Sequence, residues 1–187
     1  EKMWDKTEEN ISIPATDMEH YAEHPDVIFV CVKGYSLQET IPFIKRIARK
    51  NTIVIPVLNI YGTGGKMQKE LPDLLVTDGC IYVSANIKEP GKLLQHGQIL
   101  HIVFGVRDKA EFRPELKEIQ KDLCDSHIDG TLSENIRREA LEKFSYVSPI
   151  GAAGLYYHAT AADFQKEGEA RELFKTMVKE IDRKSTR

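Results

Sequence analysis

Two apolar, β-branched runs, Val27 to Val32 and Thr52 to Leu58, constrain this chain most, and each stops abruptly at a polar residue, Lys33 and Asn59. Runs that are apolar at consecutive positions fit strands buried on both faces, the condition of a parallel sheet. Between them Leu37, Ile41, Ile44, Ile47 and Ala48 recur at helical spacing. The segment therefore predicts a strand, helix, strand unit with a right-handed crossover. Ser36 with Glu39 has the form of a capping box and sets the expected helix start just after Gly34. Pro42 removes one backbone bond inside that helix and is a candidate kink.

Further strands are expected at Cys80 to Ala85 and Gln98 to Phe104, joined through a turn at Glu89-Pro90-Gly91 and closing the sheet in an antiparallel arrangement. Beyond Gly105, Pro114 suits a first helical turn and Leu116, Ile119 and Leu123 supply its apolar stripe. Ile128 to Leu132 reads as a short edge strand. Thr131 with Glu134 forms a second capping box, ahead of a helix with apolar positions Ile136, Ala140, Leu141, Phe144 and Val147. The remainder reads as helical, with Gly151, Ala152, Ala153 and Gly154 expected to let helices approach closely. A domain boundary is placed near residues 130 to 135.

Composition narrows the function classes. The 26 basic and 29 acidic residues form no long block of either sign, which argues against a nucleic-acid partner. Cys31, Cys80 and Cys124 are odd in number, far apart and outside any C-x-x-C pair, so neither zinc nor a disulfide framework is indicated and a reducing cytoplasm fits. No stretch approaches the roughly eighteen apolar residues of a membrane span. Of the histidines, only His20 and His24 share helical spacing, and a solvated surface suits them better than a metal.

"YGTGGK", residues 61 to 66, invites a phosphate-loop reading, but Ile60 and Met67 stand where a Walker A loop needs glycine and Ser or Thr. A dinucleotide fingerprint would need glycine at 67. A glycine-rich turn without a fixed motif remains. Lys33 and Asn59 are more informative. In open α/β sheets ligands lie outside the carboxyl ends of the strands, where a cation can meet an anion. Either residue alone is explained by a strand end meeting water; their arrival at one edge is what points to a ligand. Lys143 borders the next apolar stripe. At about 100° per residue from Ile136, Ala140, Phe144 and Val147 fall at about 40°, 80° and 20°, and Lys143 at about −20°. Such a lysine either snorkels to water or serves as a half-buried proton donor.

With these residues in place, the chain resembles the ketopantoate reductase (2-dehydropantoate 2-reductase) family. "DVIFVCVKGYS", "IVIPVLNIYGTG" and "ENIRREALEKFSYVSPIGAAGL" carry the likeness, through their order and spacing. It implies an α/β fold: a partial Rossmann-like NADP-binding domain over residues 1–132, followed by the start of an all-helical substrate and catalytic domain over residues 133–187. It also implies NADPH-dependent reduction of a 2-oxo acid in pantothenate and coenzyme A biosynthesis. Lys143 matches the general acid, Lys33 and Asn59 match cofactor contacts, and backbone near "VSANI" places Ser84 or Ala85 beside the cofactor. The implied partners are a small 2-oxo acid and a second copy in a homodimer, with no metal, nucleic acid or membrane.

The departures from the family are specific. No G-x-G-x-x-G occurs, and the family's late serine and glutamate segment is not found before Arg187, so an internal portion of a longer enzyme is expected. A missing first strand leaves sheet edges bare, and association or instability of these 187 residues is the expected consequence. Val147, Gly151 and Ala161 fall near the positions of the family's substrate asparagines, which leaves ketopantoate itself open as substrate. Two rivals stay in view: a non-catalytic nucleotide-binding module, and a related hydroxyacid dehydrogenase of different substrate.

Overall fold

The computed structural model describes residues 6–185. Strands β1 (Val27–Val30) and β2 (Ile53–Pro56) run parallel, with Val27 opposite Ile53 and Val30 opposite Pro56, and helix α1 (Leu37–Ile47) forms the crossover. Helix α2 (Thr63–Glu70) then leads to β3 (Leu75–Val76), which pairs in parallel with the other edge of β2. Every residue of β2 is buried. Val54 packs among Ile41, Ile44 and Met67 of α1 and α2, while Ile53 and Ile55 pack with Phe104, Leu116 and Ile119 on the opposite side. This two-sided burial is why the run lacks alternation. Each such side chain taken out of water stabilises the fold by roughly 1.5–3 kcal/mol.

The start of α1 differs from the expected capping box. Gly34–Ser36 forms a single 3-10 turn running into α1, and the Ser36 side chain makes no capping bond. The N–H groups of Ser36 and Leu37 already donate to the carbonyls of Lys33 and Gly34, so the turn supplies acceptors that a cap would otherwise provide. Pro42 lies on the exposed side of α1, and the helix continues through it to Ile47.

Strands β4 (Asp78–Glu89) and β5 (Lys92–Gly105) form an antiparallel hairpin turned at Gly91, whose φ of 77° lies in the left-handed region. Both outrun the apolar segments read from the sequence, because their exposed distal residues still pair through the backbone. Helix α3 (Glu115–Asp125) leads to β6 (Asp129–Leu132), parallel to β5. These strands do not hydrogen-bond into the first sheet, as the sequence had led us to expect; β4-β5-β6 is a sheet of its own. The edges of β2 are already filled by β1 and β3. The two sheets meet by close approach instead: a Cβ added to Gly79 would lie 2.9 Å from the Pro56 carbonyl oxygen.

Among the described residues the elements after β6 are all helices, with α4 (Ile136–Tyr157) packed against α5 (Glu169–Ser185). Asn135 caps α4, accepting a bond from the Arg138 N–H at 3.3 Å. Thr131, the residue expected to do so, belongs to β6, with its hydroxyl against His101 Nε2 at 3.1 Å. Its backbone is committed to the sheet and is not available to open a helix. Ala153 is fully buried and Gly154 packs near Ala159 and Phe164, but Gly151 and Ala152 are exposed, so only half of the small-residue stretch serves helix packing. Among the described residues no helix is long and apolar enough to cross a membrane.

Candidate active site

The parallel register of β1 and β2 sets Lys33 and Asn59 at one level, each three residues beyond the Val30–Pro56 pair. The Val57 N–H donates to the Val30 carbonyl at 3.1 Å, extending the tie past the strand ends. Both residues are exposed. Between them the backbone is crowded, since a Cβ on Gly34 would collide with Ile60 Cδ1. Any larger residue at position 34 would have to displace the end of the Ile60 side chain.

Lys143 approaches this edge from α4. Its residue surface is 9% exposed, and its ammonium turns inward, donating to the Ile81 carbonyl and lying 4.9 Å from the centroid of the Tyr82 ring. It does not snorkel to water. Among the described residues the ammonium is met by a carbonyl and an aromatic face rather than by a carboxylate. Burial holds its pKa below the ordinary lysine value, partly offset by Cys80. Burial also pushes up the Cys80 thiol, with Lys143 and Tyr82 working against the rise, and takes the Tyr82 phenol up to about 12. Both groups are therefore neutral beside the lysine at physiological pH.

Lys143 and Asn59 line the same small hollow, walled also by Ile60, Tyr61, Cys80 and Phe144. Its volume of about 10 Å³ suits a single water. The rings of Tyr61 and Phe144, 6.1 Å apart, separate it from a larger cavity of about 590 Å³ between α4 and α5. Lys33 does not line the hollow, though the Gly34–Ile60 contact brings its backbone beside the wall. Ala85 and Ser84 do not line it either. They are exposed on the outer half of β4, where Ala85 pairs with Gln95.

Cys80 and Tyr82 were not legible as site residues. Their i, i+2 spacing puts them on one face of β4, but only the packing of α4 reveals that this face meets Lys143. The segment from Tyr61 to Lys66 runs straight into α2, with Gly62 at φ 74° in the left-handed conformation at its N-cap position. His20 pairs with Asp17 at the surface, and His24 Nδ1 lies 2.8 Å from the Ile47 carbonyl. Among the described residues no three His, Cys, Asp or Glu side chains group as metal ligands.

A layered α/β unit with polar side chains at the carboxyl edge of its parallel strands, faced by a lysine-bearing helix, defines a Rossmann-like fold. A family model described as "Ketopantoate reductase PanE/ApbA" matches residues 3–109, and the chain belongs to that family. The 2-dehydropantoate 2-reductase of Aquifex aeolicus (strain VF5) is 19% identical over 166 residues, covering 89% of this chain and 54% of that protein. The 2-dehydropantoate 2-reductase structure from Porphyromonas gingivalis W83 superposes with a TM-score of 0.76 at 23% identity, over 85% of this chain and 54% of that one. The D-mandelate dehydrogenase structure with NADH and anilino(oxo)acetate gives 0.76 at 17% identity, over 88% and 52%. The chain thus spans about half the length of the relatives it matches.

Proposed function

We propose that the protein takes part in the NADPH-dependent reduction of a 2-oxo acid, 2-dehydropantoate or a close analogue, to the 2-hydroxy acid, within pantothenate and coenzyme A biosynthesis. One observation carries this reading: the buried Lys143 ammonium shares a hollow with Asn59 at the carboxyl edge of the parallel strands. Family membership supports it.

NADPH supplies the hydride. The residues present suit such a dinucleotide in chemistry, with an exposed cation at Lys33 and an exposed amide at Asn59 offered at one level of the sheet edge. Ala85 is proposed as a further cofactor contact. Lys143 gives its proton to the carbonyl oxygen as negative charge develops there, leaving a neutral amine that regains a proton from water. Burial favours this, because an ammonium with a lowered pKa releases its proton more readily. General acid catalysis of this kind is worth about 10² to 10⁴ in rate. We place the reaction in the cytoplasm, the compartment that an odd number of widely spaced cysteines fits.

Similarity to the D-mandelate dehydrogenase structure with NADH and anilino(oxo)acetate favours a second reading, a hydroxyacid dehydrogenase of different substrate. Full-length protein assayed with NADPH and NADH against a panel of 2-oxo acids chooses between them. Lys143→Ala should retain its circular dichroism spectrum and lose about 10² to 10⁴ in turnover. Reduction by that variant at the wild-type rate would remove the assignment of Lys143.

A further inference from the structure

We infer that Tyr82 is the positioning residue for Lys143: its ring face, presented by β4 opposite α4, holds and aims the ammonium at the sheet edge where a counter-ion would otherwise be needed. The inference rests on the reading of Lys143 as proton donor.

A buried ammonium needs electrostatic compensation. A carboxylate would provide it at a cost to catalysis, because an ion pair stabilises the charged form and holds back the proton. A carbonyl and an aromatic quadrupole compensate more gently and accept no proton. That is the arrangement here: Nζ donates to the Ile81 carbonyl and lies 4.9 Å from the Tyr82 centroid, within the range of a cation–π contact. Consecutive residues of β4 thus supply both partners, one through its backbone and one through its ring. The other titratable groups around the site include Cys80 on the same face of β4, Glu139 and Glu142 on α4, and Tyr61 on the loop after β2.

The ring is itself held. His101 is the cross-strand partner of Tyr82 on β5, and the two rings stack with centroids 5.5 Å apart and planes 23° from parallel. His101 is fixed in turn by β6, with Nε2 3.1 Å from Thr131 Oγ1 and Nδ1 3.8 Å from the carboxylate of Asp129, its registered neighbour. A row of side chains across three strands therefore backs the aromatic face. A ring so clamped fixes where the ammonium rests, as a flexible aliphatic side chain would not.

The test is an NMR titration of full-length protein labelled with ¹³C at the lysine ε-carbons, the Lys143 signal being identified by its loss in Lys143→Arg. In the wild type the Lys143 ε-protons should be shifted upfield by the Tyr82 ring current. Their ordinary position would overturn the inference without recourse to any variant. In Tyr82→Leu the titration midpoint of Lys143 should fall by about one pH unit, and Tyr82→Phe, which keeps the ring and drops the hydroxyl, should restore it. The alkaline limb of the kcat profile should move with the midpoint. A midpoint unmoved or raised in Tyr82→Leu, or a Phe variant that behaves like the Leu variant, overturns the proposal. The titration needs no turnover, so a midpoint that moves as expected in a protein reducing no 2-oxo acid would uphold the role of Tyr82 and sink the proposed reaction instead.

Discussion

The Arg107 guanidinium lies 3.7 Å from the Asp78 carboxylate, with the two side chains only 12% and 10% exposed. Asp78 opens β4 and Arg107 follows β5, so the pair ties the two ends of the hairpin against α2. Arg107 Nη2 also donates to the Val76 carbonyl at 2.7 Å, while Nη1 is buried without a hydrogen-bond partner. The geometry is that of a pair held by its surroundings rather than one optimised for strength.

Breaking this pair from one side leaves a buried charge uncompensated. Asp78→Ala should therefore destabilise the protein by about 3–5 kcal/mol in urea denaturation. Replacing both partners by apolar residues of similar size, Asp78→Leu with Arg107→Met, should restore most of the loss, because neither charge then has to be desolvated. A single substitution costing less than about 1 kcal/mol would place the pair in the class of weak surface contacts.

Adjacent glycines in α2 should respond in opposite senses. A Cβ at Gly64 would collide with the Thr77 carbonyl oxygen and with Asp78 Oδ1, and the first of these is backbone that cannot rotate away. At Gly65 the nearest atoms are Arg107 Cδ and Nε at 3.9 Å, ordinary van der Waals contact. Alanine is favoured over glycine in a helix interior by about 1 kcal/mol. Gly65→Ala should thus raise the melting temperature, and Gly64→Ala should lower it sharply. Equal responses would mean that propensity, not packing, governs this turn.

The helix caps give a similar contrast. Asn135→Ala removes the side chain that accepts from the Arg138 N–H and should cost about 1 kcal/mol. Ser36→Ala removes no capping bond and should stay within about 0.5 kcal/mol of the wild type. Chemical denaturation of the two variants side by side decides the matter, and a larger loss at Ser36 would contradict the 3-10 start of α1.

These caps show where sequence reading stops. Both capping boxes are correct as patterns, yet Ser36 is bypassed by a 3-10 turn and Thr131 is held in a strand, because each pattern is local and the choice of partner is made by neighbouring structure. The strands were legible wherever apolar residues ran together, as in β1 and β2. They were not legible in the outer half of the β4–β5 hairpin, where Ile87 and Leu93 pair in the open at 72% and 65% exposure. At the site, the wheel position of Lys143 on the edge of an apolar stripe was visible in the sequence. The inward turn of its ammonium was not, since that depends on Ile81 and Tyr82 in a strand that precedes it by 62 residues.

Three titrating groups beside α4 predict how stability varies with alkaline pH, with opposite signs. Lys143 has a folded pKa below its ordinary 10.5, so between the two values the unfolded chain holds a proton that the folded one has released. Stability then rises with pH across that window. Lys143→Met removes the buried charge, and its stability advantage over wild type should be largest near neutral pH and shrink as pH approaches 10.5. Tyr82 behaves in the reverse way. Its folded pKa of about 12 exceeds the ordinary 10.0, so the stabilisation is complete below 10 and is lost as pH rises toward 12. Cys80, also raised by burial, adds a loss of the same sign beginning above its ordinary 9.0. Urea titrations at stepped pH should show Tyr82→Phe losing less stability than wild type between pH 10 and about 12. An advantage of Lys143→Met that stays constant from neutral pH to 10.5 would mean that the ammonium is solvated, and with it would go the case for a tuned proton donor.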